Sequence, residues 1–193
     1  MFTVSFFLNS ILFGIGLAMD AFSVSVANGL NEPKMKRSKL MLIAGTFAVF
    51  QAIMPLIGWI CVHTIANIFA SFEKFIPWIA LILLLIIGGK MLIDGIKNGE
   101  NDEKPTVGFV ALMVQGVATS IDALSVGFTI SDYSFLPALI EALIIAAVTF
   151  VICVVGVLIG KKFGDKFSNK AQIFGGLILI GIGIEIFVKG VFF

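Results

Sequence analysis

Six apolar stretches, each about as long as a bilayer-spanning helix, follow one another through almost the whole chain. They cover residues 6–28, 40–62, 76–97, 107–130, 136–160 and 172–191. Roughly 20 such residues cross the hydrocarbon core as a helix, and lipid offers the backbone no alternative hydrogen-bond partner. The expected fold is therefore an all-α membrane protein with six transmembrane helices. Composition agrees: 59% of the 193 residues are hydrophobic and 13% are charged, against about 25% charged in ordinary soluble domains. A net charge of +1, with no basic face carrying interleaved aromatics, argues against nucleic acid as a partner. The N-terminus has no basic leader and its apolar run contains Asp20, so it reads as the first membrane helix rather than a cleaved signal peptide.

The basic residues set an orientation. Lys34, Lys36, Arg37 and Lys39 follow the first span, and Lys90, Lys97 and Lys104 surround the third connection. Lys161, Lys162, Lys166 and Lys170 flank the fifth, leaving only Lys74 and Lys189 for the other side. Cytoplasmic connections carry such an excess. The first, third and fifth connections are thus expected in the cytoplasm and both termini outside, with Trp59 and Trp78 at the outer interface.

The two halves also repeat. Asp20 matches Asp122, Ser23 matches Ser125, and Leu56-Ile57-Gly58 matches Leu158-Ile159-Gly160, all at a spacing of 102 positions. A unit of three spans must enter the membrane upside down the second time, giving a 3+3 inverted-topology repeat of the kind that secondary transporters build around a midplane site. The expected division is residues 1–97, a cytoplasmic linker at 98–106, and residues 107–193, together forming one membrane domain.

Each copy of the repeat holds one carboxylate inside an apolar run: Met19-Asp20-Ala21-Phe22-Ser23 and Ile121-Asp122-Ala123-Leu124-Ser125. An intramembrane acid is costly and marks an ion or proton pathway by default. Helical spacing puts Gly16, Ser23, Ala27 and marginally Asn28 on the face of Asp20, and Gln115, Ala118, Thr119 and Ser125 on that of Asp122. A two-fold axis in the membrane plane would bring the pair together near mid-depth. Two bare anions there would rather take up protons, whereas one divalent cation neutralises both. Oxygen ligands suit magnesium, calcium or manganese, while zinc and copper recruit imidazole and thiolate. Candidate metal ligands are Asp20 and Asp122, supported by Ser23, Ser125, Gln115, Thr119, Asn28 and Gln51. The bland alternatives are buried carboxylates capping a polar interface, and hydroxyls that simply let helices pack closely.

Other polar residues carry weaker expectations. Glu141 and Glu185, toward the outer ends of the fifth and sixth spans, read as a cation exit vestibule or as charges reaching water. His63 reads as a solvated interfacial residue, and Met19 as facing lipid or packing. Pro55 would free a carbonyl one turn back or kink its helix. Cys61 and Cys153 occupy non-equivalent places without CxxC spacing, as buried hydrophobes do.

Five segments in order resemble the manganese efflux pump family (MntP-type). They are Met-Asp-Ala-Phe-Ser-Val-Ser at 19–25, Pro-Leu-Ile-Gly-Trp at 55–59 and Gly-Gly-Lys-Met at 88–91, then Ala-Thr-Ser-Ile-Asp-Ala-Leu-Ser-Val-Gly at 118–127 and Gly-Gly-Leu-Ile-Leu-Ile-Gly-Ile-Gly at 175–183. The resemblance implies a bacterial inner-membrane protein that exports manganese, with Asp20 and Asp122 as its key acids. It also implies a glutamate where this chain has Gln51 and an amide where it has Glu185.

The expected activity is that of a secondary transporter and not an enzyme. It exports Mn²⁺ by alternating access at the aspartate pair, with protons as the exchanged ion. No nucleotide-binding motif is present in the sequence. The implied partners are a divalent cation and the bilayer, without a resident cofactor or an obligate protein partner. Two alternatives are an exporter of amino acids or another small organic solute, which would want a mid-helix cation for the carboxylate, and a redox relay through the two cysteines.

Overall fold

The structure is a computed structural model that describes residues 3–64, 76–97, 108–167 and 169–192. Its elements are all helical: α1 (Val4–Asn31), α2 (Arg37–Thr64), α3 (Ile76–Lys97), α4 (Phe109–Thr119), α5 (Ala123–Thr129), α6 (Phe135–Phe167) and α7 (Asn169–Phe192). The 98–106 linker lies outside the described residues. Among the described residues, three stretches are long and apolar enough to span a bilayer, Val4–Asn31, Arg37–Cys61 and Phe135–Gly164. Shorter apolar helices run over Phe109–Thr119 and Ile173–Val188.

One expected span is corrected. Residues 107–130 do not form a single helix, because the chain breaks between Thr119 and Ala123 into α4 and α5. Hydroxyls take over the carbonyls at the break. Thr119 Oγ1 donates to the Gln115 carbonyl at 2.9 Å, and Ser120 Oγ to the Gly116 carbonyl at 2.7 Å. The amides of Ala123, Leu124 and Ser125 then reach back only three residues, to Ser120, Ile121 and Asp122. That tighter winding substitutes for the α-helical ladder that Ser and Thr locally disrupt. Pro55, by contrast, leaves α2 unbroken.

Helix pairs cross where side chains vanish. A Cβ added to Gly29 would lie 2.9 Å from the Gly160 Cα, locking α1 against α6. One added to Gly127 would lie 2.7 Å from the Gly58 Cα, locking α5 against α2. For α3 and α7, a Cβ on Gly88 would lie 2.7 Å from the Gly176 carbonyl oxygen. In lipid, where hydrocarbon offers no hydrophobic drive between helices, such close backbone approach supplies the packing energy.

The same contacts fix directions. Gly14 meets Ile145 and Val148, Gly29 meets Gly160, and Gly164 meets Pro33 and Leu30, so α1 and α6 run parallel. Gly116 on α4 meets Phe50 and Gly127 on α5 meets Gly58, while just past α5 the Tyr133 carbonyl accepts from Trp59 Nε1 at 2.9 Å, so α4 and α5 run parallel to α2. At one end of the molecule Phe6, Trp59, Tyr133 and Phe135 gather. At the other, Lys161 donates to the Met35 carbonyl at 2.7 Å and Lys39 pairs with Glu32. The basic first connection and the basic end of α6 therefore share one side, opposite Trp59. Trp78 packs edge-on against Phe187 with centroids 4.5 Å apart, joining the start of α3 to the end of α7. The core between them is apolar, from Ala21, Val24 and Phe47 to Leu84, Leu112 and Leu179.

Candidate functional site

Gln51 is fully buried on α2, and its single amide nitrogen reaches two other helices. It donates to the Leu17 carbonyl at 3.0 Å and to the Thr119 carbonyl at 3.1 Å. Both acceptors stand three residues ahead of an aspartate, Leu17 before Asp20 and Thr119 before Asp122. They are also 102 positions apart, the spacing that relates the aspartates themselves. One carboxamide thus ties together the matching backbone turns from which the two acids project. The second consequence is local. With its carbonyl held by Gln51, Thr119 gives α4 its end, and Asp122 falls in the break.

A second buried link lies toward the basic end. Asn28 Nδ2 donates to Gln115 Oε1 at 2.8 Å, and Gln115 Nε2 returns a bond to Asn28 Oδ1 at 3.3 Å. Of the expected ligands, then, Asn28, Gln115, Thr119 and Gln51 are brought into buried hydrogen-bonded contacts among α1, α2 and α4. Ser23 is half-buried and donates to its own helix, to the Met19 carbonyl at 3.1 Å. Ser125 is exposed, Asp20 half-buried and Asp122 exposed. An acid on an exposed intramembrane turn is tolerated where it meets water or a cation rather than hydrocarbon.

The two acids expected as a vestibule, Glu141 and Glu185, differ in setting: Glu185 is exposed on α7, whereas Glu141 is only 2% exposed on α6. Met19 is exposed, Cys61 half-buried and Cys153 buried, and neither thiol is in a disulfide. The side chain of His63 lies outside those described. Among the described residues no three His, Cys, Asp or Glu side chains converge, so a cation here would rest on fewer acids, completed by neutral oxygens. One such oxygen is at hand: Gln51 Oε1 is buried and accepts no hydrogen bond. Sequence reasoning placed Gln51 near the site but missed the two carbonyls it holds. The spacing of 102 would have pointed to Leu17 and Thr119 as matched partners.

A family model described as "Putative manganese efflux pump" matches residues 34–187. A relative named "Putative manganese efflux pump MntP" from Ruminiclostridium cellulolyticum is 45% identical over 185 residues, covering 95% of this chain and 96% of the relative. Relatives of the same name from Methanospirillum hungatei and Rippkaea orientalis are each 41% identical, over 93% and 95% of this chain and 92% and 96% of their own lengths. The chain belongs to the MntP manganese efflux pump family. No solved structure matches it. Membership of MntP together with the long apolar helices makes this a multi-pass membrane protein and a transporter by family. The MntP resemblance rests on segments at both aspartates, and Gln51 joins the turns that carry them.

Proposed function

We propose that the protein exports manganese(II) from the cytoplasm by alternating access at a site between Asp20 and Asp122, in exchange for protons. The observation that carries this reading is the Gln51 bridge. It couples the turn before Asp20 to the turn before Asp122, at a break in the second of those helices. Broken helices at membrane depth are where transporters expose backbone and acid to an ion. Two carboxylates accommodate one Mn²⁺ or two protons and are neutral overall either way. Gln51 Oε1, buried and without a hydrogen bond, is a neutral oxygen free to join them, with Ser23, Ser125 and Thr119 as further candidates. Asn28 and Gln115 serve by holding α1 to α4 on the basic side.

The larger frame is a six-span 3+3 inverted repeat, residues 1–97 and 107–193, in the bacterial plasma membrane with both termini outside. Support comes from the helix directions: α1 runs toward the basic end and α5 away from it, so the first spans of the two halves point oppositely. The pairing of α1 with α6 and of α5 with α2 is also unchanged when the halves are exchanged. The test is metal accumulation in cells lacking their own exporter. Wild-type protein should lower cellular manganese under manganese stress, and Asp20→Asn or Asp122→Asn should abolish this while remaining in the membrane. Normal export by both variants would remove the reading.

A further inference from the structure

Away from the aspartates, α6 buries an acid that the exchange cycle above does not use. Glu141 is 2% exposed, and its Oε2 has no hydrogen-bond partner. Gly14 on α1 touches Ile145, and one turn toward the Tyr133 end of that contact stand Ser10 on α1 and Glu141 on α6. Ser10 is fully buried, its hydroxyl proton given to the Phe6 carbonyl at 2.9 Å. One turn further, a cavity of about 180 Å³ is lined by Thr3, Ser5, Phe6, Asn9, Tyr133 and Pro137. Such a volume holds several waters among its hydroxyls and amide. Pro137 and Glu141 share a helix face, and helical side chains lean toward the N-terminus. Glu141 does not itself line the cavity; it stands one helical turn below Pro137 on the same face of α6, and its side chain leans toward that turn.

Charge decides what such a group can hold. Between Thr3 and Leu17, α1 has no ionisable residue, and α6 has only Glu141 and Cys153 before Lys161. At this end of the molecule, the neighbouring elements bring Cys61 and His63 on α2, Asp132 and Tyr133 in the α5–α6 turn, and Glu185 and Lys189 on α7. Asp132 and Glu185 are exposed. A divalent cation on one carboxylate would leave a net positive charge in an apolar wall, whereas a proton leaves none.

We infer that Glu141 is the group that takes up the exchanged proton from the side opposite the basic loops, through the cavity lined by Thr3, Ser5, Asn9 and Tyr133. A hydronium ion in the cavity protonates the carboxylate, leaving water behind and a neutral acid that can pass its proton inward. This rests on the proton-exchange reading above and adds a second, metal-free site to it.

The test uses purified protein in vesicles loaded with manganese chloride and a pH-sensitive dye. Wild-type protein should release Mn²⁺ and acidify the lumen. Glu141→Gln should keep tracer Mn²⁺–Mn²⁺ exchange, which needs no net proton movement, yet lose acidification per ion released; Glu141→Asp should recover part of it. Wild-type acidification by Glu141→Gln would overturn the inference, as would its loss of tracer exchange, which would make Glu141 part of the metal step. Wild-type Mn²⁺ release without acidification would overturn proton exchange, and this inference with it. Absence of any Mn²⁺ movement in wild type would instead point to failure of the exporter reading.

Discussion

Asn28 and Gln115 hydrogen-bond each other in both directions, at 2.8 and 3.3 Å, with both side chains sealed from solvent. Each amide oxygen is occupied by the other amide's nitrogen, so the pair acts as a latch between α1 and α4. It lies one residue from the Gly29–Gly160 crossing, on the side of the basic loops. Under the proposed alternating-access cycle, opening from that side would part α1 from α4 and break this latch.

Breaking it from one side should cost more than removing it. Asn28→Ala leaves the Gln115 amide buried and unpaired, a loss of about 1–3 kcal/mol. Replacing both residues by Leu removes the orphan and should recover much of that stability. A double-mutant cycle by unfolding in detergent measures the difference, and equal losses in single and double variants would contradict the latch.

Gln51→Leu should be the more damaging change. The Thr119 carbonyl, which the break leaves without a helical donor, becomes an unmet buried group at a cost of about 1–3 kcal/mol. The Leu17 carbonyl keeps its bond within α1 and loses only its second donor. The Thr119 carbonyl would be free to resume an α-helical bond across the break. Both thermal stability and manganese export should fall, and a Gln51→Leu protein that retains both would show that the bridge organises nothing.

Much of this arrangement was legible in the sequence, and the rest was hidden for identifiable reasons. The apolar runs, the aspartate pair and the spacing of 102 are properties of single segments, so inspection finds them. The break at Ser120–Asp122 is not, because Thr and Ser bond back to helical carbonyls in unbroken helices as well. The interruption is seen only in three dimensions, in the three-residue reach of the Ala123, Leu124 and Ser125 amides and in the arrival of Gln51 from another helix at the Thr119 carbonyl. Glu141 and Glu185 looked equivalent as acids near span ends. Their difference is tertiary: one faces α1 and the other the surface.

The glycine crossings separate packing from propensity. Gly160→Leu would drive a side chain into the Gly29 Cα and the Leu30 amide nitrogen, each 2.9 Å from where its Cβ must sit. Over-packing of this kind costs about 1–3 kcal/mol or more. Here the obstacle is backbone, which yields less than a side chain, so the high end is expected. Gly45 provides the control, since a Cβ there meets nothing within 4 Å. Gly45→Ala should stabilise α2 by about 0.5–1 kcal/mol through its helix preference. Unfolding of both variants in the same detergent decides the matter, and similar effects at the two positions would argue against the crossing.

The thiols should be dispensable. Cys61 and Cys153 stand at non-equivalent places, one half-buried near the Trp59 end and the other fully buried among Val24, Val157 and their neighbours. Replacing both by Ala removes any redox chemistry and leaves the Gln51 bridge, the aspartates and Glu141 in place. The cost should be a small void at Cys153, on the order of 1 kcal/mol. Manganese export by the double variant should match wild type under both reducing and oxidising conditions. A loss that oxidant or reductant modulates in the wild-type protein would instead revive the relay through the two sulfurs.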